Sequence, residues 1–308
     1  MEATSDRVRW SEVPAALAAR VGELLGSPVV AAADQLAGYS PGVAARVGTG
    51  AGRRAFVKAA PERLGRAAEL YRREAAVLSL LPAGVPVPRL LGAIGVEVDG
   101  DAWFALVTEE VDGRHPAVPP ARADLVAMLD VVAAAPTARG LALPDLTDEL
   151  AVEVWPALVE QHPEALSAFE RDHADDLDAL ARETTAHLAG DRLVHLDTRS
   201  DNVLFDPHGR PWLVDWAWAC VGANWIDGFT TLLDARLNGS PDTDALLAHP
   251  VFEGVPGRAF DALLAALAGG FRLNSLQPAP PRMPALRGFQ AAQADVALAW
   301  LRARDALA

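Results

Sequence analysis

The chain has 308 residues, 51% of them hydrophobic, so it can bury a large core and on length divides into two lobes. Its 27 Lys and Arg face 41 Asp and Glu, a formal charge of −14, which disfavours a nucleic-acid binder and permits a cationic small molecule as partner. A single cysteine, Cys220, excludes an internal disulfide and a cysteine-rich metal site, and no apolar run nears the roughly 18 residues of a membrane span, so a cytoplasmic location away from membranes is expected.

The first elements alternate turn signals with β-favouring runs. An amphipathic helix is expected around Trp10 to Leu25, then strands at Val29 to Leu36, Val43 to Val47 and Arg54 to Ala59, joined by GYSPG (Gly38 to Gly42) and GTGAG (Gly48 to Gly52). A helix from Glu62 to Leu81 stops at Pro82, and further strands are expected at Ile94 to Val98 and Trp103 to Thr108. The charged, glycine- and proline-bearing segment Glu109 to Pro116 suits a connector, and beyond it helical periodicity dominates. The expected class is therefore α+β: a small β-rich lobe over 1–108, a hinge over 109–116 and a mainly helical lobe over 117–308.

Only one of the 27 basic side chains is lysine: Lys58, in the third strand. On the following helix Ala67, Leu70, Tyr71, Val77, Leu78 and Leu81 share one face, and Glu74 falls in the middle of it. A carboxylate on a buried face needs a partner, and Lys58 is the candidate; a Glu74 reaching past the helix edge into water is the alternative.

The stretch from Leu193 to Trp216, LVHLDTRSDNVLFDPHGRPWLVDW, carries the most chemistry. Val203 to Phe205 and Trp212 to Val214 flank a turn signal and read as a hairpin in which Asp206 faces Pro211 and Asn202 faces Asp215. Directly opposed strand positions are about 4.5 to 5.5 Å apart at Cα, so an amide oxygen and a carboxylate held there can share a hard cation such as Mg²⁺. Asp197, on the loop leading in, is placed to orient an attacking hydroxyl and take its proton.

The pattern His195-x-Asp197-x(4)-Asn202, with Asp215 thirteen residues further on, resembles the catalytic loop and metal aspartate of the protein-kinase-like superfamily. The segment Asp215-Trp216-Ala217-Trp218 looks most like its aminoglycoside phosphotransferase and choline-kinase-like branch. The resemblance implies a bilobal kinase-like fold and transfer of the γ-phosphate of ATP to a hydroxyl. It casts Asp197 as base, Asn202 and Asp215 as Mg²⁺ ligands, and His195 as scaffold.

It also implies that Lys58, paired with Glu74, contacts the α- and β-phosphates. The loop containing Ser40 and Gly42 would lie over the nucleotide, and backbone groups of Glu109 and Val111 would meet adenine. Arg199, where the family often has histidine or lysine, is a candidate for neutralising the transferring group; pairing with Asp201 or Asp215 is the equal alternative. Leu196 departs from the glycine common at its position. No GxxxxGK[ST] loop is present, so the ATP reading does not rest on one.

The run from Asp215 to Asp227 leaves little room for a peptide-binding segment, which favours a small-molecule acceptor: an aminoglycoside or other antibiotic, an amino alcohol or a sugar. A kinase acting on a peptide hydroxyl and a catalytically silent nucleotide-binding regulator are the rival readings. Trp155, Trp218, Trp225 and Trp300 could stack on a ring-bearing ligand, though tryptophans at helical spacing are more often core.

Overall fold

A computed structural model describes residues 6–240 and 243–307. The chain forms two compact units, one of Met1–Arg114, Leu204–Trp218 and Ala279–Leu286, the other of His115–Val203, Ala219–Pro278 and Arg287–Ala308.

The first unit is built on a five-stranded antiparallel sheet of order β1-β2-β3-β5-β4, from β1 (Val29–Asp34), β2 (Val43–Thr49), β3 (Arg54–Pro61), β4 (Leu90–Val98) and β5 (Asp101–Glu109). The strands fall where alternation predicts them, with β4 extending back to Leu90 and β1 ending at Asp34, short of Leu36. Helix α1 (Ala15–Leu25) starts after Pro14, later than the predicted Trp10, and ends at Gly26 in the left-handed region (φ 76°). It buries Leu17, Val21 and Leu25 against Val43, Val47, Val57 and Ala59. Side chains alternate across a strand, so Lys58, between Val57 and Ala59, projects from the opposite face. There α2 (Arg66–Leu80) packs, burying Ala67, Ala68 and Tyr71 with Ala60. The predicted Glu62 to Leu81 helix is broken: Glu62–Leu64 is a 3-10 turn, and Gly65 (φ 44°) separates it from α2.

In the second unit come α3 (Arg122–Ala133), α4 (Leu146–Glu149), α5 (Trp155–Gln161), α6 (Ala168–Asp172), α7 (Ala174–Glu183) and α8 (Thr185–Leu188). After them, β6 (Arg192–Val194) pairs antiparallel with β9 (Cys220–Gly222), so Cys220 is a buried strand residue. The hairpin β7 (Val203–Phe205) and β8 (Pro211–Leu213) joins the first unit from Leu204 onward. The second unit closes with α9 (Trp225–Leu237), α10 (Gly257–Ser275) and α11 (Leu286–Ala303), the last entering it from Arg287.

The hairpin corrects the predicted register. Asp206 N–H donates to Arg210 C=O at 3.0 Å, so Asp206 meets Arg210 and not Pro211, and β8 ends at Leu213. Two features set the turn: Gly209, in the left-handed region (φ 78°), donates its N–H to Asp206 C=O at 2.8 Å, and Asp206 Oδ1 accepts N–H bonds from His208 and Arg210, both 2.9 Å, closing a loop one residue tighter than periodicity suggests.

Aromatic packing organises the second unit. Phe229 stacks between Phe260 (5.1 Å) and Trp300 (4.6 Å), and the Trp155 indole donates to the Ala265 carbonyl at 3.0 Å. Trp155, Trp225 and Trp300 are thus core. Trp218, in the first unit, lies under the guanidinium groups of Arg66 (5.1 Å) and Arg73 (5.3 Å). Among the described residues no helix is long and apolar enough to cross a membrane.

Candidate active site

In the first unit, strand β3 and helix α2 bring Lys58 and Glu74 together, Nζ to Oε2 at 2.7 Å. Asp215, just past β8 and itself in the left-handed region (φ 67°), places Oδ1 3.2 Å from the same Nζ. Glu74 is buried, so the alternative of a solvated carboxylate is overturned; Asp215 is the accessible acid of the pair, its side chain 43% exposed. Burial would lower the Lys58 pKa, but Asp215 and Glu74 outweigh it and hold the ammonium charged. Burial pushes Glu74 up to about 7, with Lys58 opposing and Asp215 adding to the rise.

Of the two carboxylates around the ammonium, Asp215 is the one open to solvent, and a carboxylate oxygen is the donor type a divalent cation takes. Among the described residues no group of three or more His, Cys, Asp or Glu side chains could hold a metal ion.

Above α2, the loop with Ser40 and Gly42 is tied to Tyr71 and Arg7. Ser40 Oγ is 2.7 Å from the Tyr71 hydroxyl, and the Arg7 guanidinium donates to the carbonyls of Ala37 and Gly42. Glu109 ends β5 opposite Ala55; its N–H donates to Arg89 C=O at 2.9 Å, and its carboxylate accepts the Arg89 N–H at 3.0 Å. Val111 follows in the chain outside any strand.

In the second unit, β6 delivers His195, Leu196 and Asp197. His195 is buried, and its Nδ1 accepts the Asp197 N–H at 3.2 Å. Leu196 takes φ 64°, the left-handed value that glycine adopts without strain. Asn202 donates through its side-chain amide to Asp197 O and to Asp197 Oδ2, both at 2.8 Å, which turns its carbonyl oxygen away from Asp197.

Arg199 pairs bidentately with Asp201 (Nε to Oδ1 and Nη2 to Oδ2, each 3.0 Å) and donates through Nη1 to Asp197 Oδ1 at 2.6 Å. Burial would depress Arg199, but Asp197 and Asp201 outweigh it and keep it charged. Its guanidinium also lies 5.4 Å from the Phe289 ring centroid.

The loop is braced from α9 by residues that sequence reasoning missed. Asp227 accepts the N–H groups of His195 (2.7 Å) and Leu196 (2.8 Å), and Asp234 Oδ2 accepts both Ser200 N–H (2.9 Å) and Ser200 Oγ–H (2.6 Å). Thr231 Oγ1 donates to Thr198 O at 3.1 Å. Their signal was present: Asp227, Thr231 and Asp234 form a polar stripe at i, i+4 and i+7 on a helix otherwise buried through Ile226, Phe229, Leu232 and Leu233. Burial pushes Asp227 up to about 7 against the two N–H bonds, and it raises Asp234 likewise.

Solved structures share this fold. A choline kinase, LicA, from Streptococcus pneumoniae superimposes with a TM-score of 0.59 at 15% identity over 92% of this chain and 98% of that one. An aminoglycoside phosphotransferase from Alicyclobacillus acidocaldarius gives 0.53 at 18% identity, covering 96% and 98%. A thermostable mutant of the aminoglycoside phosphotransferase APH(4)-Ia, in a ternary complex with ADP and hygromycin B, gives 0.56 at 14% identity, covering 93% and 98%. At these identities the likeness is one of fold, the protein-kinase-like α+β fold. No curated protein matches the sequence. Residues 36–260 match the model of the phosphotransferase enzyme family, and with most of its length matched the chain belongs to that family.

Proposed function

We propose that this phosphotransferase moves the γ-phosphoryl group of ATP to a hydroxyl of a small molecule, with Asp197 as the base. The observation that carries the reading is the sole lysine of the chain, Lys58, held at 2.7 Å from Glu74 and 3.2 Å from Asp215. In this reading Lys58 binds the α- and β-phosphates and Glu74 fixes its direction. Ser40 and Gly42 line the phosphate loop, and the backbone of Glu109 and Val111 receives adenine. Asn202 and Asp215 supply oxygens to Mg²⁺, which when bound neutralises charge on the β- and γ-phosphates.

Asp197 takes the proton of the acceptor hydroxyl as its oxygen bonds to phosphorus and the bond to the ADP oxygen breaks. The hydrogen bond from Asn202 fixes Asp197 Oδ2 in place. Arg199, anchored by Asp201 and bonded through Nη1 to Asp197 Oδ1, would place its positive charge beside the base and the group being transferred.

Likeness to a choline kinase and to a phosphotransferase bound to hygromycin B supports a small-molecule acceptor. The candidates are an aminoglycoside or other antibiotic, with resistance as the role, an amino alcohol or a sugar. The charge of −14 suits a cationic one, and the reaction belongs in the cytoplasm, where ATP is supplied. ADP release by the purified protein with ATP, Mg²⁺ and panels of aminoglycosides, amino alcohols, sugars and peptides tests this. Release that depends on a small alcohol and stops with chelator is the expected result; stimulation by peptides alone, or ATP binding without turnover on any acceptor, would contradict it.

A further inference from the structure

The helix that carries Glu74 also holds the loop at Ser40. Tyr71 lies one turn before Glu74 on the same buried face of α2. Its hydroxyl is 2.7 Å from Ser40 Oγ and 3.4 Å from the carbonyl oxygen of Val43, the first residue of β2. The ring presses on Gly42: a Cβ there would lie 2.6 Å from the Tyr71 oxygen and 2.8 Å from Ala59 O, so glycine alone allows this approach.

Lys58 Nζ sits 5.9 Å from the centroid of the same ring. From the other side Arg7 donates to Ala37 O (Nε 3.1 Å, Nη2 2.8 Å) and to Gly42 O (Nη1 3.2 Å). These Arg7 bonds use carbonyl oxygens of the loop, whereas a phosphate is recognised by N–H groups.

We propose that Tyr71 is a positioning residue that shapes the Ser40–Gly42 loop for phosphate and couples it to the Lys58–Glu74 pair, so that one helix aligns both. The inference rests on the reading that this loop meets ATP. It assigns Tyr71 no contact with the reacting atoms. Its effect should therefore appear in the binding of phosphate-bearing nucleotides and spare adenosine, which has no phosphate to position.

The test compares wild type, Tyr71→Phe, Ser40→Ala and the double variant, all full length, by KM for ATP, kcat, calorimetric affinity for ATP and for adenosine, and melting temperature. Each single change should raise KM for ATP roughly 3- to 10-fold, the size of one neutral hydrogen bond, with a smaller change in kcat. Adenosine affinity should hold, and the double variant should be no worse than the weaker single, because both remove the same bond. Where the wild type binds ATP, additive losses, equal losses for ATP and adenosine, or variants with the wild-type KM would overturn this inference alone. A wild type that binds no ATP would overturn the functional reading and this inference with it.

Discussion

Asn202 holds Asp197 twice, donating from one side-chain amide to its backbone carbonyl and to its carboxylate, each at 2.8 Å. Two bonds from one planar group fix both the loop and the carboxylate direction. Asn202→Ala should therefore cost turnover ~10²-fold through misplacement of the base, and raise the Mg²⁺ concentration needed for half-maximal rate. Initial rates across a Mg²⁺ titration read both; a normal kcat with an unchanged Mg²⁺ midpoint would count against the assignment.

Lys58 is a point charge between two carboxylates, and arginine cannot occupy that geometry. Lys58→Ala and Lys58→Arg should each raise KM for ATP by about 10-fold or more, the order of a lost charged hydrogen bond. Glu74→Gln, which keeps an oxygen near the ammonium, should do less. Steady-state kinetics at varied ATP decide it, and a Lys58→Arg variant indistinguishable from wild type would contradict the geometry.

Leu196 in the left-handed region carries strain that a β-branched side chain would worsen. Leu196→Val should be less stable than Leu196→Gly by about 1 to 2 kcal/mol, because left-handed backbone costs a branched residue and not glycine. Urea denaturation of the two variants measures the difference; equal midpoints would place the strain elsewhere.

Asp227, raised by burial to about 7, keeps its proton in the folded protein at a pH where an unfolded aspartate has lost it. The folded state then binds more protons between about pH 4 and 7, so this group adds stability at low pH that is lost as pH rises through 7. The stability advantage of wild type over Asp227→Asn should shrink across that window by at most about 1.4 kcal/mol per pH unit. Denaturant midpoints at several pH values test the sign, and an advantage that grows with pH would reverse it.

The residues legible in the sequence are those whose chemistry is locally marked. Asp197, Asn202 and Asp215 stand at fixed spacings in one short stretch, and Lys58 is the only lysine. What escaped depends on contacts across distant sequence. Asp227 reaches His195 over 32 positions, Arg7 reaches Gly42 over 35, and no periodicity links such pairs. The hairpin register escaped for a nearer reason: the Asp206 side chain and a left-handed Gly209 together close a three-residue turn, and alternation of apolar residues carries no record of that.

The most direct measurement is single-turnover phosphoryl transfer by Asp197→Asn beside wild type, with ATP affinity measured on the same samples. The amide keeps the shape of the side chain and removes its capacity to take a proton, so the rate should fall by roughly 10² to 10⁴ while nucleotide affinity stays within about twofold. Transfer at the wild-type rate in that variant would show that the proton goes elsewhere.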